Sequence, residues 1–258
     1  IKSNSMIRKN IPNFVTLLNL LSGCVSIVFA FSGELRLASY LIGMAAIFDF
    51  LDGTLARVLK VRSEIGLQLD SLADVISFGL APGFIIFHLM NNSSNAPLIL
   101  VYNINFALFV ALLIPVFSAF RLAKFNIDNR QNENFIGMPT PTSAIFFASL
   151  PLVLHQASIS NHTMVKSLIE NYWVLSLLVI VFSYLMVSSV VLMSLKFKTL
   201  SFTANSTRYI FLFVALVLVL FLKFYAFPIV ILFYILLSVL FNPAKRSIIS
   251  KRQGANHS

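Results

Sequence analysis

The stretch that decides the architecture is Asp49-Phe50-Leu51-Asp52-Gly53-Thr54-Leu55-Ala56-Arg57-Val58-Leu59-Lys60-Val61-Arg62-Ser63-Glu64-Ile65-Gly66-Leu67-Gln68-Leu69-Asp70-Ser71-Leu72-Ala73-Asp74. Apolar runs lie on both sides of it, near 36–56 and 66–90, and between them sits a short basic loop from Arg57 to Ser63. Five of the nine acidic residues of the chain fall in these 26 positions, and four of them are aspartates. An ionised carboxylate at the centre of a bilayer costs ~2.5–3.5 kcal/mol even on the lenient insertion scale. Four together also repel one another, so a compensating partner is required.

The surrounding chain says that the setting is a membrane. Of 258 residues, 58% are hydrophobic and 11% charged, whereas soluble domains carry about a quarter charged residues. Ile210 to Leu222 and Trp173 to Leu195 contain no charge at all. A hydrocarbon core of ~30 Å needs about 20 such residues per helix. The apolar runs predict an all-α, polytopic transmembrane bundle of about eight spans, near 12–32, 36–56, 66–90, 98–120, 140–156, 172–194, 209–223 and 226–241. The last two are short enough to form a re-entrant pair instead. One integral-membrane catalytic domain covers 1–258 on this reading. It has a core over about 11–195, a helical extension over about 208–241 and a polar tail over 243–258. The chain opens on Ile1; Met6 is a candidate natural start, and residues 1–5 are alternatively part of a longer tail. The first apolar run serves as the first span, so no cleavable signal peptide is expected.

Orientation follows from the basic residues. With the N-terminus cytoplasmic, only Arg36, Lys166 and Lys223 of the 19 Lys and Arg residues fall outside, the distribution expected of cytoplasmic loops. Both termini and the aspartates are then cytoplasmic. The +10 net charge is spread over short loops and tails that face anionic headgroups, which argues against nucleic acid as a partner. Cys24 is the only cysteine, so no intramolecular disulfide forms.

Spacing gives the aspartates a purpose. Asp49 and Asp52 are three residues apart, Asp70 and Asp74 four, and each pair therefore shares one helix face. An antiparallel hairpin of the two spans brings both pairs to one end. Four carboxylates make an oxygen-rich cage suited to hard divalent cations, and such cages can clamp phosphate oxygens. Gly53 and Gly66 allow close approach of a ligand or backbone, and Arg57 can hold a phosphate by charge-assisted hydrogen bonds. A buried ion-pair cluster and a cation pathway are the competing readings. A pathway wants charges distributed along the membrane depth, not gathered at one end.

The pattern Asp49-x2-Asp52-Gly53-x2-Ala56-Arg57-x8-Gly66-x3-Asp70-x3-Asp74 is identified as the signature of the CDP-alcohol phosphotransferase family, position for position. The resemblance implies a six-helix core that commonly dimerises, here spans one to six, with spans seven and eight as an extension. It implies two divalent cations, Mg²⁺ or Mn²⁺, at Asp49, Asp52, Asp70 and Asp74, with Asp74 also the general base. Gly53, Ala56, Arg57 and Gly66 would surround the CDP group. Asn13 and Thr16, in span one, reach the nucleotide or cap and pack their helix.

Within the family the chain looks most like the integral-membrane phosphatidylserine synthases of bacteria and archaea. The likeness runs through Ile11 to Asn19, Phe50 to Arg57, Ser71 to Gly79, Arg121 to Asn126 and Gly137 to Pro141. It implies CDP-diacylglycerol and serine as substrates, a homodimer, and a bacterial or archaeal plasma membrane. Serine needs a cation for its carboxylate, and Arg121 and Asn126 are the candidate acceptor-site residues. Glycerol 3-phosphate and inositol are the alternative acceptors. A transporter using the aspartates as a cation path, and a catalytically dead lipid-binding scaffold, are the readings from other classes.

Overall fold

The computed structural model describes residues 2–61, 63–127, 135–193 and 202–240. Helix α1 (Lys2–Phe31) leads by a turn into α2 (Leu35–Val58). Helix α3 (Glu64–Asp74) runs through a π-helical turn (Val75–Leu80) into α4 (Ala81–Asn91). A strand pair, β1 (Leu100–Val101) and β2 (Ile104–Asn105), precedes a 3₁₀ segment (Phe106–Leu112) and α5 (Leu113–Ile127). There follow β3 (Phe135–Ile136), α6 (Thr140–Ile159), α7 (Thr163–Ile169), α8 (Tyr172–Val187) and β4 (Val191–Leu192). The described chain closes with α9 (Phe202–Leu222) and α10 (Ala226–Leu240).

A helix therefore stands at each of the eight expected positions. Five described segments combine the length and apolarity of a membrane-crossing helix, and the bent pair α7–α8 would add a sixth. Helix α2, with 24 residues, reaches ~36 Å at 1.5 Å per residue. Helices dominate because hydrocarbon offers no partner for free N–H and C=O groups.

Several boundaries differ from those expected, each for a local reason. Helix α1 starts ten residues before position 12; Pro12 sits inside it and removes only one backbone donor. The fourth span does not begin at residue 98. Tyr102 and Asn103 both have positive φ, the two-residue hairpin turn that matches strand twist, so Leu100 pairs with Asn105 and Val101 with Ile104. Asn105 Oδ1 then accepts from Ala107 N at 3.1 Å and caps the helical run, which extends to Ile127. Arg121 consequently lies within α5, not beyond its end. The sixth span stops at Val187, seven residues early: Ser188 is extended, and β4 pairs antiparallel with β3.

The last two helices fold back on each other. The Phe211 ring lies 6.2 Å from Phe233 and 5.7 Å from Tyr234, so the apolar segment Arg208–Val239 is a hairpin rather than one long crossing. Gln156 of α6 holds its turn from both sides: Nε2 donates to the Leu222 carbonyl at 3.4 Å, and Oε1 accepts from Phe224 N at 3.0 Å. At the other end Tyr234 Oη donates to the Met193 carbonyl at 2.9 Å. The extension is thus keyed to the core. Residue 195, where the core was expected to end, and the tail at 243–258 lie outside the described residues.

What positions the site is α1, which packs along α2 and also against α3, the π turn and α4. Gly23 makes this possible. A Cβ there would collide with Ser77 Oγ and come within 2.7 Å of Ser77 Cα. The π turn holding Ser77 follows Asp74 directly, and π turns recur at functional sites. Pro82, just downstream, offers no N–H to the carbonyl four residues earlier.

Candidate active site

Asp49 and Asp52 sit on the last three turns of α2, and Asp70 and Asp74 on the last two of α3. One ligand oxygen each from Asp49, Asp70 and Asp74 lies within 4.8 Å of the other two. This set brings together both helices, as the spacing predicted. Asp74 is 7% exposed, and one Asp70 oxygen, Oδ1, is buried with no hydrogen-bond partner. Carboxylate oxygens at this separation, one of them orphaned, fit a hard cation with oxygen ligands. The aspartate cluster can bind a metal.

Asp52 stands slightly apart from that trio. It is 5% exposed, and its Oδ2 accepts from Thr16 Oγ1 of α1 at 2.6 Å. Its charge still acts on Asp49 and Asp70. Asp74 Oδ1 likewise accepts from α1, from Asn19 Nδ2 at 3.3 Å. Helix α1 therefore touches one carboxylate of each pair, through side chains three residues apart on one face. The sequence left Thr16 between reaching the nucleotide and packing its helix, and gave Asn19 no role at the site. The signal was present as Asn13, Thr16 and Asn19 at three-residue spacing in an apolar span.

A pocket of about 500 Å³ opens between the start of α1, the end of α2 and the start of α3. Asn13, Thr16, Gly53, Ala56 and Gly66 line it, with Asp52 and Asp70. Five of the six residues expected around a nucleotide thus meet in one cavity that reaches the carboxylates. Ser63, which sequence reading missed, shapes its rim. Its Oγ accepts from Gly66 N at 2.9 Å and caps α3, satisfying an otherwise free helix N-terminal donor. A Cβ on Gly66 would come within 2.8 Å of both Asn13 Oδ1 and Ser63 Oγ. The sixth residue, Arg57, is exposed and does not line the cavity. Its Nε donates to the Gly53 carbonyl at 2.9 Å, which lays the guanidinium over the bare face of Gly53, 4.0 Å from where a Cβ would stand.

The two acceptor-site candidates lie on α5. Arg121 is 8% exposed and close enough to Asp74 for their charges to interact. Its Nη1 donates to Thr140 Oγ1 at 3.3 Å, its guanidinium lies 5.6 Å from the Phe125 ring, and its buried Nε has no partner. A buried guanidinium with an unused donor is costly unless an anion completes it. Asn126 Nδ2 donates to Ser71 Oγ at 2.8 Å, tying α5 to the residue after Asp70. Thr140, at the start of α6, could not be picked from sequence, because only packing brings it beside Arg121.

Comparison with known proteins gives a consistent outcome. The sequence profile of the CDP-alcohol phosphatidyltransferase family matches residues 9–178. A CDP-diacylglycerol–serine O-phosphatidyltransferase of Helicobacter pylori is 36% identical over 137 residues, covering 52% of this chain and 54% of the relative. One of Methanocaldococcus jannaschii is 33% identical over 181 residues, covering 70% and 72%. An archaetidylserine synthase of Methanothermobacter thermautotrophicus is 37% identical over 145 residues, covering 55% and 58%. The chain spans about half the length of most of the curated relatives it matches.

Proposed function

The chain belongs to the CDP-alcohol phosphatidyltransferase family, and on that footing we propose that it transfers the phosphatidyl group of CDP-diacylglycerol to the hydroxyl of serine, releasing CMP. The observation that carries this reading is the cavity between α1, α2 and α3, whose lining joins a polar rim to a carboxylate floor. The nucleotide end lies among Asn13, Ala56 and Gly66, with Gly53 and Arg57 at the diphosphate. Two divalent cations, Mg²⁺ or Mn²⁺, bound by Asp49, Asp70 and Asp74 together with Asp52, would supply positive charge against the phosphate oxygens. Thr16 holds Asp52 in place from α1.

Asp74 takes the proton of the serine hydroxyl. The freed oxygen attacks the phosphorus that bears the diacylglycerol; a new P–O bond forms, the diphosphate P–O bond breaks, and its electron pair leaves with CMP. The proton passes from Asp74 to solvent. General-base help of this kind contributes typically 10²–10⁴-fold. Arg121 receives the serine carboxylate, its unused Nε completing a two-point contact that a planar guanidinium suits. Asn126 supports that end of the site by holding α5 on Ser71. The active site faces the cytoplasm of a bacterial or archaeal plasma membrane, as the basic loops favour, and the enzyme works as a homodimer, as the family resemblance implies.

The test is CMP release by purified protein in detergent with CDP-diacylglycerol and Mn²⁺ or Mg²⁺. Serine, inositol, glycerol 3-phosphate and no acceptor are compared, beside Asp74→Asn and a chelated sample. Release that needs serine and metal and is lost in Asp74→Asn is the expected result. Release with another alcohol alone overturns the substrate. Silence from folded protein with every acceptor overturns the enzyme reading.

A further inference from the structure

We propose that Asn19 is the positioning residue for the Asp74 carboxylate, fixing its rotation so that one oxygen is left for the acceptor proton. The inference rests on the role proposed for Asp74 above. Asn19 is fully buried, in the middle of an apolar span where a leucine would pack at no polar cost. Its Nδ2 donates to Asp74 Oδ1 at 3.3 Å, yet its Oδ1 is buried without any partner. An amide half satisfied in this way is destabilising, so packing alone does not account for an asparagine here.

The surroundings hold the pair from both backbones. Ser77 Oγ, three residues after Asp74, donates to the carbonyl of Asn19 itself at 2.9 Å. Gly23 lies one helical turn beyond Asn19, and only its missing side chain lets Ser77 come this close. Asp74 ends α3 and the π turn begins at the next residue, so Asp74 stands where the helix changes pitch. The contact Asn19–Asp74 and the contact Ser77–Asn19 together lock α1 to α3 on both sides of that change. With Oδ1 engaged by the amide, rotation about Cβ–Cγ of Asp74 is restrained; a second lone pair of Oδ1 stays available to a cation, and Oδ2 faces the substrate. Thr16 does the same for Asp52 one turn earlier, but through a hydroxyl whose donor is fully used.

The test is Asn19→Leu, which keeps the branched side-chain shape and removes both polar atoms, with Asn19→Gln as the variant that restores a donor. Turnover, both KM values and the thermal stabilisation given by Mn²⁺ without substrate are measured on each. Asn19→Leu is expected to lower kcat about 10-fold, with KM for CDP-diacylglycerol and for serine within about twofold and Mn²⁺ stabilisation retained; a tenfold change corresponds to ~1.4 kcal/mol. Asn19→Gln recovers part of kcat. An unchanged kcat in Asn19→Leu, or a loss carried by KM instead, overturns the proposal. Should Asn19→Leu not fold, Asn19→Ala, which removes the amide without adding bulk, must show the same split, and a normal kcat there is equally fatal. If the wild type is active only with another alcohol, the substrate assignment falls and the Asn19 comparison is read on that alcohol.

Discussion

Gly66→Ala separates crowding of the pocket from stability of the helix that forms it. An added Cβ would stand 2.8 Å from Asn13 Oδ1 and 2.8 Å from Ser63 Oγ, where ordinary contact begins at 3.4 Å, so each oxygen must withdraw by about 0.6 Å. Ser63 cannot do so and keep its 2.9 Å bond to the Gly66 N–H. Losing that cap costs ~1 kcal/mol. Alanine in place of glycine inside a helix returns a similar ~1 kcal/mol, so the two effects nearly cancel in stability. The displacement of Asn13 has no such offset. If its amide loses one hydrogen bond to the nucleotide, worth ~0.5–1.5 kcal/mol, KM for CDP-diacylglycerol rises roughly 2- to 12-fold. The assay is CMP release in mixed micelles at varied mole fraction of CDP-diacylglycerol and saturating serine, beside a thermal melt in detergent. Ser63→Ala removes the cap without filling the pocket and is expected to lower the melting point with a smaller change in KM. An unchanged KM in Gly66→Ala would refute the assignment of this cavity to the nucleotide. An equal rise in Ser63→Ala would place the cause in the cap.

Arg121→Lys keeps the charge and loses the planar fork. Its expected effect is a rise of about 10-fold in KM for serine, since hydrogen bonds to charged groups are worth ~1.5–3 kcal/mol, with KM for CDP-diacylglycerol unchanged; steady-state kinetics with each substrate varied decide it. Gly23→Ala drives a methyl group into the backbone at Ser77, which cannot yield as a side chain can. Overpacking of this kind costs ~1–3 kcal/mol, so the melting point falls by several degrees. Gly43→Ala, inside α2 with nothing within 4 Å of the new Cβ, is the control and raises it slightly, by the ~1 kcal/mol that Ala gains over Gly in a helix.

Much of this protein was legible in the chain alone. Apolar runs long enough to cross a bilayer must be helical, because lipid forces the backbone to bond within the segment, and helices stand at all eight expected positions. The i, i+3 and i, i+4 aspartates share helix faces for the same local reason, so Asp49, Asp70 and Asp74 converge as their spacing requires. Tertiary structure decided what lies outside one helix. Leu98 to Ile104 is as apolar as a span, and only the two positive-φ residues at its centre turn it into a hairpin; hydropathy does not carry that information. Two apolar helices after Arg208 were expected, but their packing face to face was set by Phe211 against Phe233 and by the grip of Gln156 on the turn. The hub of the site was equally hidden. That Thr16 meets Asp52, 36 residues away, Asn19 meets Asp74, 55 away, and Arg121 meets Thr140 depends on how α1, α3, α5 and α6 cross. Spacing fixes which side chains share a face of one helix. Which face of another helix they meet depends on where two backbones can approach, and at Gly23 that is decided by a single absent methyl group.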